Sequence, residues 1–187
     1  MSRRSVIPTA LGALAIALIL AGCGGDGGGG STTVSLGEEA AVGHVEYTDT
    51  GERGASTTLG VTVLEVTQGA MSDLTEAGFE VDAEGRNSTP YYVHVRYENQ
   101  GEETIARYID VSLEDSDGNL LGNTLIFNYG DLPFEPCERI TKGKLAPGES
   151  FESCTLFLVP EGVEVGNVGF LSDMGPTTEP EWVYWES

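Results

Sequence analysis

One cysteine in this sequence stands where its thiol could be modified covalently. Cys23 ends the stretch Leu20-Ala21-Gly22-Cys23, which closes an apolar run and precedes a glycine-rich segment. The small side chains of Ala21 and Gly22 suit a peptidase that holds the backbone in a tight groove, and the thiol of Cys23 can be converted to a thioether. These residues predict signal cleavage between Gly22 and Cys23 and lipidation of Cys23.

The residues before this cysteine have the pattern of a signal peptide. Arg3 and Arg4 form a short positive region, and an apolar stretch follows from Val6 to Leu20. This stretch is shorter than the roughly 20 residues that a helix needs to cross a bilayer, so a retained transmembrane anchor is the weaker interpretation. Residues 20–23 resemble the lipobox of bacterial lipoproteins. A plain secretory signal remains the alternative, and the Arg3-Arg4 pair leaves a twin-arginine export route open.

The segment after Cys23 predicts a flexible tether between the lipid and a folded domain. Residues 24–30 are glycine apart from Asp26, a composition typical of flexible linkers. Two or more acyl chains on Cys23 would hold the protein stably at a bilayer. The sequence therefore predicts a signal peptide over residues 1–22, a lipidated cysteine and linker over residues 23–37, and one domain over residues 38–187. We expect the lipid bilayer as a partner and the extracytoplasmic face of the cell membrane as the location.

The composition of the mature chain excludes some partners. Cleavage before Cys23 leaves 165 residues, enough for one domain with a real core. The full chain has a net charge of -21, and cleavage removes Arg3 and Arg4 but no acid, so 7 basic and 30 acidic residues leave -23. Such an acidic surface repels nucleic acid, so no nucleic-acid partner is expected.

The two remaining cysteines predict a disulfide. Cys137 and Cys154 form an even number in an oxidising compartment once Cys23 is assigned to lipid. Free thiols or a metal pair are the alternatives that the sequence leaves open. A zinc site would need more nitrogen or sulfur ligands than His44 and His94 obviously provide.

The body of the chain has an all-β pattern, with short β-prone runs separated by turn-forming clusters. We expect an immunoglobulin-like antiparallel β-sandwich of seven or eight strands, with one or two helical turns over Met71–Phe79 in which Ser72 and Glu76 favour the helix start. The polar residues from Thr48 to Ser56 predict a loop. The expected strands are Ala41–Tyr47, Thr58–Val66, Tyr91–Glu98, Ile105–Leu113, Leu120–Phe127, Ser150–Val159, Val163–Leu171 and Glu181–Trp185.

The alternation within two of these strands predicts which side chains face the core. In the third, Tyr91, Val93, Val95 and Tyr97 should lie on one face, and Tyr92, His94 and Arg96 on the other. In the fourth, Ile105, Arg107, Ile109, Val111 and Leu113 should share one face, which is apolar except for the arginine.

The last expected strand carries two tryptophans. Trp182 and Tyr184 should lie on one face, and Val183 and Trp185 on the other. A terminal strand of this kind predicts closure of a core. An aromatic platform for a ligand is the alternative.

Two acidic loops could in principle bind a cation. Asp115, Asp117 and Asn119 alternate as oxygen donors, but Gly118 favours a tight hairpin and no bidentate glutamate follows at the spacing of a calcium loop. The acidic loop from Asp82 to Glu84 is the second candidate. We expect solvated turns, and cation binding remains the alternative.

Two stretches resemble a family of bacterial extracytoplasmic lipoproteins with a telokin-like, immunoglobulin-like domain. They are Tyr92-Val93-His94-Val95-Arg96-Tyr97-Glu98-Asn99-Gln100-Gly101-Glu102-Glu103 and the later Leu145-Ala146-Pro147-Gly148-Glu149-Ser150-Phe151. The chain is similar also to a secreted mycobacterial immunoprotective antigen, over about residues 43–185. This resemblance implies the sandwich fold and a location in the cell envelope, and it implies no biochemical activity.

The inventory of catalytic residues is poor. The sequence has two histidines and contains no Gly-x-Ser-x-Gly elbow, no His-Glu-x-x-His motif and no phosphate loop. The pair Glu102-Glu103 sits in an expected turn. We therefore predict a protein that is not an enzyme and has no cofactor, and that acts as a binding or structural module towards an unknown envelope or extracellular protein. A cation-binding surface protein and an envelope enzyme without a recognisable motif are the alternatives.

Overall fold

The computed structural model describes residues 31–83, 85–122, 134–138, 140, 142–173 and 180–186. Within these ranges the chain forms one short helix, α1, at Met71–Glu76, a single 3₁₀ turn at Gly85–Asn87, and eleven strands. The strands are β1 (Thr32–Ser35), β2 (Glu39–Tyr47), β3 (Arg53–Gln68), β4 (Ser88–Asn99), β5 (Ile105–Ala106), β6 (Ser112–Asp115), β7 (Leu120–Leu121), β8 (Lys144–Leu145), β9 (Ser150–Pro160), β10 (Val165–Ser172) and β11 (Glu181–Glu186).

Two sheets pack face to face as an immunoglobulin-like sandwich, which confirms the predicted fold class. The five-stranded sheet has the order β1-β11-β10-β6-β7, and the four-stranded sheet has the order β2-β3-β4-β9. Strand β1 pairs with β11 in parallel, and the other described pairs are antiparallel. A small ribbon of β5 and β8 adds two fully buried side chains, Ile105 and Leu145, to the core.

The core lies between the inner faces of the two sheets. On β4 the inward residues Val93, Val95 and Tyr97 are buried while Arg96 is exposed, as the alternation predicted. On the opposite sheet Trp185 is buried, and its indole nitrogen donates to the Glu38 carbonyl (3.0 Å). The burial of these inward side chains supplies the main stabilisation of the sandwich.

The disulfide between Cys137 and Cys154 is present, as the cysteine count predicted. The segment that carries Cys137 runs beside β9, because the Cys154 amide donates to the Glu138 carbonyl (3.0 Å) and the Ile140 amide to Ser153 Oγ (2.9 Å). The bond thus fastens this segment to the edge of β9 and covers backbone groups that a bare edge would expose.

The boundary predicted at residue 38 is wrong for the described domain. Residues Thr32–Ser35 pair with Val183–Glu186, and the Leu36 amide donates to the Glu186 carbonyl (3.0 Å). The β-branched residues Thr32, Thr33 and Val34 favour a strand. The glycine-rich composition just before them hid that signal, and the fold includes residues that the sequence assigned to the tether.

Three other predicted boundaries differ from the structure. Strand β3 begins at Arg53, so the loop expected over Thr48–Ser56 is only a tight turn in which Gly51 adopts a positive φ of 77°. The strand expected over Ile105–Leu113 is broken into β5 and β6, because the chain crosses there from the ribbon to the five-stranded sheet. Of the strand expected over Leu120–Phe127, β7 accounts for two residues, and residues 123–127 lie outside the described part.

The predicted helix start is also wrong in its capping residue. The side chain of Asp73, not Ser72 or Glu76, accepts a hydrogen bond from the Ala70 amide (2.8 Å). The strand count exceeds the expected seven or eight because five of the strands are short pieces of two to four residues, which are too brief to give a clear sequence pattern. In the part of the chain that the structure describes, no helix has the length and apolar character needed to cross a membrane.

Candidate functional site

Strand β11 places two aromatic side chains on the outer face of the five-stranded sheet. Val183 and Trp185 point inward and are buried, while Trp182 and Tyr184 point outward and are half-buried. The two outward rings are nearly parallel, with an angle of 13° between their planes and 5.8 Å between their centroids. The predicted division of the strand into two faces is confirmed. The core is closed by one face, and the other carries an aromatic pair.

A glycine on the neighbouring strand lets these rings lie down on the sheet. Gly169 of β10 pairs with Tyr184, and a Cβ atom at Gly169 would lie 3.0 Å from the Tyr184 ring and 3.1 Å from the Trp182 ring. These separations are shorter than ordinary van der Waals contacts. The absence of a side chain at Gly169 therefore allows the aromatic pair to pack directly on the sheet.

Tyr184 reaches across β10 to a carboxylate on β6. Its hydroxyl donates to Glu114, and burial followed by this hydrogen bond raises the pKa of Tyr184 to about 12. Glu114 is only 8% exposed although it lies on an outer sheet face. The tyrosine and the carboxylate hold each other in place, and the tyrosine stays protonated at neutral pH.

Two exposed leucines lie on the same outer sheet face as the aromatic pair, Leu171 beside it and Leu120 on the other side of Glu114. Leu171 pairs with Trp182 and is 47% exposed, and Leu120 pairs with Glu114 and is 54% exposed. We call Leu120, Leu171, Trp182 and Tyr184 the outer strip. Exposed apolar groups that lie together on one face, beside polar neighbours, are characteristic of interaction surfaces.

The outer face of the four-stranded sheet is covered around the aromatic side chain of Tyr92. Tyr92 points outward there but is only 4% exposed, because it packs with Phe134 and the Cys137–Cys154 disulfide. The ring centroids of Tyr92 and Phe134 are 5.7 Å apart. Burial and the nearby charge of Asp73 raise the pKa of Tyr92 to about 12.

His44 is one of the residues that line a cleft of about 420 Å³ near one end of the sandwich. Burial lowers the pKa of His44, and the charges of Glu46 and Asp173 offset part of this effect. The hydroxyl of Thr57, its partner in the β2–β3 register, is engaged because it donates to Asn99 Oδ1 (2.5 Å). His44 is thus a neutral, partly desolvated ring whose threonine neighbour is occupied in a structural hydrogen bond.

The other polar candidates have structural partners. His94 is half-buried on the outer face of β4, and Glu103 accepts a hydrogen bond from the Ser56 amide (2.6 Å) while its neighbour Glu102 lies in the exposed turn after β4. Asn99 is fully buried and its side-chain amide donates to the carbonyls of Glu103 (2.8 Å) and Leu145 (3.0 Å). These contacts shape the turn and position no reactive group.

In the acidic hairpin between β6 and β7, the carboxylate of Asp115 accepts hydrogen bonds from other residues of the same turn. Asp115 Oδ1 accepts hydrogen bonds from the amides of Asp117 (2.9 Å) and Asn119 (2.8 Å), and Asp115 Oδ2 accepts one from the side chain of Asn119 (2.9 Å). Hydrogen bonds from Asn119 to the carboxylate lower the pKa of Asp115. Gly118 has a positive φ of 81°, as the predicted tight turn requires.

The second acidic loop is organised in a similar way. Asp82 Oδ1 accepts a hydrogen bond from the Gly85 amide (2.7 Å), while Glu84 lies outside the described residues. Across the described ranges, no three His, Cys, Asp or Glu side chains are grouped in a way that could hold a metal ion. The carboxylates of Asp115 and Asp82 thus stabilise their own turns.

The predicted lipidation and cleavage residues, Cys23 and Gly22, lie outside the described residues. The structure does describe where the following chain joins the domain, at the start of β1. Sequence reasoning recognised both the disulfide and the outward pair of β11. It missed Gly169 and Glu114, because a lone glycine and a lone glutamate in short strands carry no signal until the pairing of β6, β10 and β11 is known.

Comparison with protein-family models finds no match, and comparison with curated protein sequences finds none either. Among solved structures, the domain is similar to MPT63, a secreted protein from Mycobacterium tuberculosis, at 14% identity and a TM-score of 0.52, over 86% of this chain and 100% of that one. The yjhA protein from Bacillus subtilis gives 14% identity and a TM-score of 0.45, over 83% of this chain and 99% of that one. A putative lipoprotein, ycdA, from Bacillus subtilis gives 14% identity and a TM-score of 0.47, over 69% of this chain and 36% of that one.

The likeness to the secreted mycobacterial protein supports the fold that the sequence resemblance implied. At 14% identity it carries no information about activity, ligand or anchoring. In this chain the sandwich carries a disulfide-fastened segment over one sheet and an apolar strip on the other.

Proposed function

We propose that this protein is a membrane-anchored extracytoplasmic lipoprotein, held by an acylated Cys23, that acts as a binding module for another protein of the cell envelope. The observation that carries the binding role is the outer strip. A large aromatic pair with exposed leucines on a flat sheet face is a surface that a protein partner can bury.

The anchoring part of the proposal is supported by the leader. The positive residues, the apolar run and the small residues before Cys23 agree with one another, and a glycine-rich segment separates that cysteine from the domain. Two acyl chains supply stable attachment without a basic patch, which an acidic domain of this kind does not offer.

A protein partner fits the outer strip better than a cation or a small substrate. Leu120 and Leu171 are about half exposed, and the aromatic rings beside them offer large contact areas with few rotatable bonds. Glu114 is buried beneath this strip and bonded to Tyr184, so its carboxylate shapes the surface and is held away from solvent.

Fractionation of cells that express a Cys23→Ala variant tests the anchor. The wild-type protein should sediment with membranes, and the variant should move to the soluble fraction because it lacks the acylated thiol. A Ser31→Ala variant is the matched control and should stay with the membranes. Membrane retention of the Cys23→Ala protein would contradict the anchoring proposal.

Crosslinking in intact cells tests the binding role. The wild-type protein should give a discrete adduct with one envelope protein, and a Trp182→Ser, Tyr184→Ser double variant should lose it. The control is Leu64→Ser, which removes an exposed leucine (39%) from β3 in the four-stranded sheet. Equal loss of the adduct in the control and the double variant, or survival of the adduct in both, would overturn the assignment of the outer strip as the binding surface.

A further inference from the structure

We propose that the two ends of the sandwich have fixed orientations relative to the bilayer: the end at which β1 begins faces the membrane, and the opposite end faces away from it. We call the first the tether end and the second the far end. This inference rests on the proposed anchoring at Cys23 and adds the orientation of the domain to it.

The strand register defines the tether end. Thr32 pairs with Val183 near the start of β11. Glu181, the first residue of β11, pairs with Ser172, the last residue of β10, so the chain joins the domain where β11 begins and β10 ends. The Gly43 amide donates to Ser172 Oγ (2.9 Å), and the Tyr47 hydroxyl donates to Asp173 Oδ2 (2.7 Å). These bonds place the β2–β3 turn at the tether end.

The same register defines the far end. Val165 at the start of β10 pairs with Asp115 at the end of β6, which places the β6–β7 turn opposite the tether. Ser88 pairs with Pro160 where β4 begins and β9 ends. The β9–β10 turn and the segment with α1, which joins β3 to β4, therefore also lie at the far end.

The length of the tether prevents the domain from inverting. Eight residues separate Cys23 from Thr32, so the two residues are nine Cα–Cα steps apart and the chain between them spans at most about 32 Å when fully extended. As a Gly-rich coil it spans roughly 17 Å on average. Strand β9 has 11 residues and therefore spans about 34 Å, and the turns at both ends add to the length of the sandwich. An inverted domain would require Thr32 to stand at least that far from the bilayer, which is beyond the reach of even a fully stretched tether. The pairing of β1 thus disfavours this arrangement by shortening the free tether.

The distribution of charge favours the same orientation. The described cations of the tether end and the adjoining ribbon are Arg53, Arg107, Lys142 and Lys144, and the acids there are Glu46, Asp49, Glu52, Glu102, Glu103, Glu149, Asp173 and Glu181. In the described loops of the far end Arg86 is the one cation, and the acids there are Asp73, Glu76, Glu80, Asp82, Asp115, Asp117, Glu161 and Glu164. Anionic lipid headgroups repel such an acidic end more strongly than the mixed tether end.

Energy transfer from single labelled sites to the bilayer tests the orientation. Thr50→Cys labels the exposed β2–β3 turn at the tether end, and Asp117→Cys labels the exposed β6–β7 turn at the far end. The full lipoprotein would be inserted in phosphatidylcholine vesicles that carry a headgroup-labelled acceptor lipid. We expect transfer at least about twofold more efficient from position 50, since the two turns are separated by the length of the sandwich. Equal transfer, or stronger transfer from position 117, would overturn the proposal.

Two further samples separate this inference from the anchoring proposal. Insertion of about 16 Gly and Ser residues after Gly30 makes the tether longer than the sandwich, so the difference between the two labels should shrink, and an unchanged difference would contradict the role of the tether. If the natural protein does not float with vesicles, the anchoring proposal fails. The orientation is then tested with a histidine tag in place of residues 1–22, a Cys23→Ser substitution and a nickel-chelating lipid, with the same expected ratio and the same contradicting results.

Discussion

Aromatic side chains lie on the outer faces of both sheets, but the two faces differ in how far these side chains are exposed to solvent. On the four-stranded sheet, Tyr92 is covered by Phe134 and the Cys137–Cys154 disulfide and is 4% exposed. On the five-stranded sheet, Trp182 and Tyr184 lie half-buried beside two exposed leucines. In each case a carboxylate lies near a tyrosine, and the pKa of that tyrosine is raised to about 12.

This difference indicates that an apolar outer face of this sandwich can be either covered by another segment or left partly exposed to solvent. The segment fastened by the disulfide removes one aromatic surface from water and adds to stability. Among the described residues no disulfide-fastened segment covers the outer strip, and its shape is maintained by Gly169 below the rings and Glu114 beside them. A surface that is shaped and left accessible is better suited to a partner than to the core.

The largest expected effect is a difference in the free energy of unfolding between variants on the two faces of β11. Trp185→Ala removes a core indole that is 1% exposed and should lower the free energy of unfolding by about 3–5 kcal/mol. Trp182→Ala removes an outward ring and should cost only about 1 kcal/mol, the size of a surface aromatic pair. Denaturant unfolding of both variants measures the difference, and equal losses would show that the outer strip is part of the core.

Removal of the disulfide should have the next largest effect. A Cys137→Ser, Cys154→Ser double variant opens a loop with a sequence separation of 17 and should lose about 3 kcal/mol of stability in the chain-entropy model. The crosslinked adduct of the outer strip should persist, since the disulfide lies on the other sheet. A variant as stable as the wild type, or one that folds but gives no adduct, would break the distinction between the covered and the open face.

The smallest expected effect is a change in tyrosine titration. Tyr184 and Tyr92 should both ionise near pH 12 in the folded protein, and Glu114→Gln should lower the pKa of Tyr184 while Asp73→Asn lowers that of Tyr92. Ultraviolet titration of the single variants, with a Tyr184→Phe reference, assigns each step. A Glu114→Gln protein with an unchanged Tyr184 pKa would contradict the contact that shapes the outer strip.

The same titration has a consequence for stability. Unfolded tyrosines ionise near pH 10, whereas these two hold their protons to about pH 12 in the folded state. Their contribution to stability is therefore complete below pH 10 and is lost as the pH rises from about 10 to 12. Unfolding midpoints measured across that range should fall, and less so in the Tyr184→Phe protein.

The sequence predicts the features that depend on local pattern. The alternation of Val93, Val95 and Tyr97 predicted the buried face of β4, and the count of cysteines predicted the disulfide. The turn at Gly118 followed from its tolerance of positive φ. Each of these predictions depends only on residues that are close in sequence or, for the disulfide, on the pairing of the two cysteines that remain.

The sequence does not predict what depends on contacts between distant strands. Strand β1 is stabilised by β11, which lies about 150 residues later, so its four residues resembled the end of a linker. The strand expected over Ile105–Leu113 is broken by a crossing between sheets, although Ile105, Ile109 and Val111 are buried as predicted. Glu114 and Gly169 belong to the candidate site only because β6, β10 and β11 are neighbours in one sheet.

A photo-crosslinking amino acid at one position on each sheet tests the central claim most directly. Placed at Leu171 in the outer strip or at Leu64 in the four-stranded sheet, it reports which sheet meets a partner in intact cells, because both positions are exposed leucines in the wild type. We predict one discrete adduct from position 171, lost when Trp182→Ser is added, and no discrete adduct from position 64. The same adduct from both positions, or an adduct from position 64 alone, would contradict the account.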